Sequence, residues 1–119
     1  MAVIAITPNT VGVTTLQRTT LTAGPDTLAY TPGANQQLYL ANNSGAPIGP
    51  VTIVGAGAPA LYMIPGTGGT TITPSAGKNL GTVPANTTIE VSLDDLSLYL
   101  QGAVTISGGA ALIATVLSN

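Results

Sequence analysis

The run Thr88-Ile89-Glu90-Val91-Ser92-Leu93 places Ile89, Val91 and Leu93 on one side and Glu90 and Ser92 on the other. Successive side chains of a strand point to opposite faces, so this period of two reads as a half-buried strand. Asp94-Asp95 interrupts it, and Leu96-Ser97-Leu98-Tyr99-Leu100-Gln101 resumes the alternation with Leu96, Leu98 and Leu100 on one face. That spacing predicts a second strand over Leu96–Gln101, ended by Gly102. Downstream, Val104–Ile106 is a short strand closed by Gly108-Gly109. Ala111–Leu117 follows, with Leu112, Ala114 and Val116 on one side. Ile113 and Leu117 lie on its other side, which predicts cover on both faces.

Upstream the pattern repeats. Gln37–Ala41 pairs Leu38 with Leu40 on one face and sits between the turn clusters Pro32-Gly33-Ala34-Asn35 and Asn42-Asn43-Ser44-Gly45. Thr27–Thr31, Val51–Val54 and Ala60–Ile64 read as strands, with Thr70–Thr73 as an edge strand and Thr82-Val83 before the turn at Pro84-Ala85-Asn86. Turn residues are spread along the whole chain, with 15 Gly and 9 Pro, and no window has helical periodicity. The expectation is an all-β fold, an antiparallel β-sandwich of jelly-roll or immunoglobulin-like type. Residues 26–119 form that domain. Residues 1–25 carry no hydrophobic stripe that fixes a register, so they read as an extended N-terminal arm or an added strand. The alternative is an ordinary first strand of the same sandwich.

Composition narrows the function. The chain has 119 residues, 45% of them hydrophobic, yet it lacks Phe, Trp, His and Cys. Charged residues make up 5%, against about 25% in an ordinary soluble domain. Arg18 and Lys78 are the only cations; Asp26, Glu90, Asp94 and Asp95 are the only anions. A Thr, Ser, Asn, Gln and Gly surface is cheap to desolvate against another protein, because Lys and Glu are the residues that interfaces avoid. The plainer reading is a robust monomer with an uncharged polar coat. Two cations cannot neutralise a run of phosphates, which argues against nucleic acid as a partner. No apolar stretch approaches the ~20 residues of a membrane span, and the start of the chain lacks the basic region and long apolar region of a signal peptide.

Without His or Cys there is no Ser–His or Cys–His pair and no thiolate ligand for a metal. Asp94 and Asp95 lack the Asp-x-Asp-x-Asp series of an oxygen cage, and read as a turn whose carboxylates bond local backbone. Gly77-Lys78 is not part of a phosphate-binding loop, because Ile72 stands where the earlier Gly is required. Asn42-Asn43-Ser44 and Asn86-Thr87-Thr88 fit the glycosylation sequon and read as chance matches. These absences predict a protein that is not an enzyme and holds no cofactor.

Thr82-Val83-Pro84-Ala85-Asn86-Thr87-Thr88-Ile89-Glu90-Val91-Ser92-Leu93, continued by Asp94-Asp95-Leu96-Ser97-Leu98-Tyr99-Leu100-Gln101-Gly102, resembles small structural proteins of tailed bacteriophages. So do Val104-Thr105-Ile106-Ser107-Gly108-Gly109 and Asn42-Asn43-Ser44-Gly45 with Val51-Thr52-Ile53. The likeness is one of style over the C-terminal two-thirds, and within that group it is to capsid decoration, or cement, proteins. It implies a homotrimer on the outer surface of the virion capsid that holds neighbouring major capsid protein subunits together. It also implies an N-terminal segment running over the shell, which makes Val3, Ile4, Ile6, Val11, Val13, Leu16 and Arg18 the candidate partner contacts. The alternatives are a tail, spike or fibre subunit, or a carbohydrate- or surface-binding module that uses Tyr39, Tyr62 or Tyr99.

Overall fold

Residues 2–8, 12–66 and 68–118 are described by the computed structural model. They form eleven β-strands and two short 3-10 turns. β1 is Ile6–Pro8, β2 Thr19–Thr20, β3 Asp26–Leu28, β4 Gln37–Asn42 and β5 Ile48–Gly55. β6 is Tyr62–Met63, β7 Thr71–Ile72, β8 Lys78–Val83, β9 Thr87–Ser92, β10 Val104–Ser107 and β11 Ile113–Ser118. One sheet has the order β1-β11-β4-β9, with β2 also paired to β11. A second has the order β3-β10-β5-β8, and β6 pairs with β7 alone. Apart from the parallel pairing of β1 with β11, the strand pairs are antiparallel. The chain is therefore all-β, as its turn spacing predicts.

Period-two sequences build both sheets. Along β4, Leu38, Leu40 and Asn42 are fully buried while Gln37, Tyr39 and Ala41 take the opposite face. β11 repeats this, with Ala114 and Val116 inside. From the other sheet, Leu28 of β3, Val51 and Ile53 of β5, Val83 of β8 and Val104 and Ile106 of β10 join the same core. The core has no aromatic centre; it is Leu, Ile, Val and Ala drawn from both sheets. Each buried Leu, Ile or Val contributes about 1.5–3 kcal/mol relative to exposure.

Polar side chains close the ends. Asn42, on β4, donates from Nδ2 to the carbonyls of Ala46 (2.8 Å) and Val83 (3.0 Å), which ties the two sheets together. Its Oδ1 accepts from the Ser44 amide and hydroxyl at 2.9 and 2.7 Å. A buried amide with all these partners specifies the turn over residues 43–47, and its burial leaves no nitrogen for a glycan. At the opposite end Asp94 accepts from the Tyr30 hydroxyl (2.6 Å) and from the Gly33 and Asn35 amides (3.2 and 3.1 Å). Its partners thus lie in the loop between β3 and β4, not in the local backbone as expected.

Three expectations need correction. Leu96–Gln101 is not a strand. The backbone turns over on itself from Leu93 to Leu100, with amides of Leu96, Ser97, Tyr99 and Leu100 each donating three residues back. Leu93, Leu96 and Leu100, spaced by three and four, are the residues that turn inward; Leu93 and Leu100 are buried. β5 and β8 are also longer than expected, because β5 begins at Ile48 within an apparent turn cluster and β8 at Lys78. Finally, much of the 1–25 segment pairs within this chain. β1 and β2 both lie along β11, and Val3 bridges Thr27 beside β3. The Ala2 amide donates to Asp26 Oδ1 (2.8 Å), and the Ile4 amide to the Thr27 carbonyl (2.8 Å).

Candidate interaction surfaces

The outward faces of β4, β9 and β11 place Tyr39, Ala41, Thr88, Ile113, Thr115 and Leu117 side by side. Leu16 and Arg18 reach over this face from the segment before β2. Two hydrogen bonds hold that segment near β1: the Gln17 amide donates to Thr7 Oγ1 (2.8 Å) and the Ala5 amide to Thr19 Oγ1 (3.0 Å). Together with Asn43, these side chains enclose a groove of about 390 Å³. Its floor is mainly aliphatic, and Arg18 is its one charged wall. Glu90, the register partner of Tyr39 on β9, and then burial raise the Tyr39 phenol pKa above its ordinary value.

A second surface is the β6–β7 hairpin. Tyr62 pairs with Ile72 and Met63 with Thr71, and the Ser75 amide closes the base on the Pro59 carbonyl (2.9 Å). Leu61 and Met63 are 67% and 63% exposed, with Tyr62 beside them, so the hairpin presents apolar side chains to solvent. None of its residues lines the groove. The hairpin interrupts the connection from β5 to β8, and its root is held by Gly57, whose amide donates to the Gln101 carbonyl (2.7 Å). The radius of gyration, 14.8 Å, exceeds the roughly 13.5 Å of a compact chain of this length, which fits a hairpin standing apart from the sheets.

The candidate contacts of the N-terminal segment divide. Leu16 and Arg18 come together at the groove. Val3 and Val13 are 78% and 86% exposed, and neither lines the groove. Ile4 is only 2% exposed and belongs to this chain's own core, against which Ile6 also packs. A folded chain therefore cannot offer Ile4 to a partner. Val11 lies outside the described residues. Leu61 and Met63 carry no signal in the sequence, because a hairpin with two-residue strands has too short an alternation to show which face is left open. Of the groove residues, Ile113 and Leu117 had a legible signal: apolar side chains on the second face of an otherwise one-sided strand.

Among the described residues no three His, Cys, Asp or Glu side chains come together as a metal site. Comparison with protein-family models, with curated proteins and with solved structures gives no match.

Proposed function

We propose that this chain is a structural subunit of a virion, a decoration protein that binds the outside of a bacteriophage head and stabilises contacts between major capsid subunits. The observation that carries the reading is the surface: almost without charge, yet bearing the exposed apolar side chains Val3, Val13, Leu16, Leu61 and Met63. Scattered single apolar residues are ordinary on a monomer, but a hairpin with consecutive ones in a nearly neutral coat favours burial against protein. The chemistry of the role asks only for contact area and a rigid fold.

The fold we read as a jelly-roll sandwich. Strands β2-β11-β4-β9 and β3-β10-β5-β8 follow the interleaved order of two Greek keys, with β5 to β8 the one connection that stays within a sheet. Jelly rolls recur in viral capsids, and that likeness of architecture supports the reading by analogy. Residues 12–15 are the part of the N-terminal segment we assign to the shell. Mass spectrometry of purified particles with imaging of the head tests the proposal; a chain found on the tail, or on no particle, refutes it.

Jelly rolls also recur in lectins, and Tyr39 with Asn43, Thr88 and Arg18 gives the groove a stacking ring among polar groups. This favours a carbohydrate-binding module as the second reading. A glycan array run with the chain and with Tyr39→Ala separates the two.

A further inference from the structure

We infer that the groove on the outer face of β4, β9 and β11 receives the β6–β7 hairpin of a second copy of this chain. The inference rests on the reading of the chain as an assembly subunit and names a contact that such a subunit makes.

The two surfaces are matched in chemistry. Residues 59–75 contain no charged side chain, and Leu61, Tyr62 and Met63 stand exposed at one strand of the hairpin. The groove offers Leu16, Ala41, Ile113 and Leu117, with about 390 Å³ of room for side chains of that size. Within one chain they cannot meet, because the hairpin leaves the sheet containing β5 and β8 while the groove lies on the outward face of the other sheet. A knob and a socket on different parts of one molecule make a head-to-tail contact between copies, which closes into a ring or continues as a filament.

Charge points the same way. Two of the four anions are engaged inside the chain: Asp26 with Ala2 and Thr22, and Asp94 with Tyr30. Among the described residues Asp95 has no cation beside it, and Arg18 has no carboxylate. Asp95 lies in the turn that follows β9, on the connection whose Tyr99 and Gln101 carbonyls hold the root of the hairpin. Arg18 forms the wall of the groove. On this inference Asp95 of one copy pairs with Arg18 of the other, two opposite charges that have no ion-pair partner among the described residues of their own chain. Lys78 at the hairpin's base and Glu90 on the groove's face are again opposite in sign, so neither end repels the other.

The test is sedimentation velocity of the purified chain over a concentration series. The wild type should self-associate. Leu61→Ser with Met63→Ser should move the association midpoint at least about tenfold higher in concentration, with thermal melting unchanged because both side chains are exposed. Arg18→Glu and Asp95→Arg should each weaken association, and the two changes in one chain should restore it. A wild type that stays monomeric throughout, or a hairpin variant that associates as the wild type does, overturns the inference. A monomer that is nevertheless recovered on phage heads would overturn it while leaving the proposed function standing.

Discussion

Replacing Asp26 with Asn weakens the acceptor that pins the start of the chain and loses one of its three bonds. Asp26 is 1% exposed. Its Oδ1 accepts from the Ala2 amide (2.8 Å) and the Thr22 hydroxyl (2.7 Å), and its Oδ2 from the Thr22 amide (3.0 Å). Asn keeps one oxygen, so its own N–H2 group faces the Thr22 amide and two donors meet. One charge-assisted bond is worth about 1.5–3 kcal/mol, and the two that survive weaken to neutral strength. Relief of carboxylate burial offsets part of this, leaving a net loss of about 2 kcal/mol. Burial by itself raises the Asp26 pKa, but the bonds from Thr22 and Ala2 outweigh it and hold it below the ordinary 3.8. The folded state is then the stronger acid. Its stabilisation is complete above the unfolded value and is lost as pH falls through the lower folded value. Urea denaturation of wild type and Asp26→Asn across that range should show a gap near neutrality that narrows on acidification. Amide exchange should quicken at Ala2 and Ile4, whose bonds to β3 depend on this anchor. A loss below about 0.5 kcal/mol with unchanged exchange would refute the reasoning, since it would match an ordinary surface substitution.

Further expectations concern other parts of the frame. Ile4→Ala should cost about 2–4 kcal/mol in urea denaturation as a core truncation, whereas exposed Val13→Ser should stay within about 0.5 kcal/mol; equal effects would mean that the N-terminal segment is misassigned. Tyr30 should titrate at about 12, raised by burial and then by Asp94, so stability falls as pH climbs from about 10 to about 12. Ultraviolet titration of Asp94→Asn should show that pKa drop. Gly108, at φ +80°, has no room for a Cβ, which would strike the Pro50 carbonyl oxygen. Gly108→Ala should therefore lower stability by about 1–3 kcal/mol, as thermal or chemical denaturation would reveal.

The legible strands were those with one buried face and a regular period. Leu38 and Leu40 of β4 announce their burial by alternating with Gln37, Tyr39 and Ala41, and Leu112, Ala114 and Val116 at β11 form one apolar face even though Ile113 and Leu117 lie on the other. Leu93 to Leu100 misled because its leucines fit two periods. Leu96, Leu98 and Leu100 alternate, while Leu93, Leu96 and Leu100 follow the spacing of a turn of helix, and tertiary burial of Leu93 and Leu100 selects the second. β1 and β2 left little trace because backbone bonds and Asp26, 24 residues from Ala2, hold that segment. The groove was illegible for a different reason. It exists only because β4, β9 and β11 become neighbours, and strand order is not written in the periodicity of any one strand.

We propose that the nearly neutral, locally apolar surface lies against a phage shell. The most direct test adds the purified chain to expanded heads that lack it, counts bound copies by co-sedimentation, and follows the heads' survival on heating. Saturable binding at a fixed number of copies per head, with heads that withstand higher temperature, is the predicted result. Heads that bind none of the chain and break at the same temperature with or without it would contradict the account.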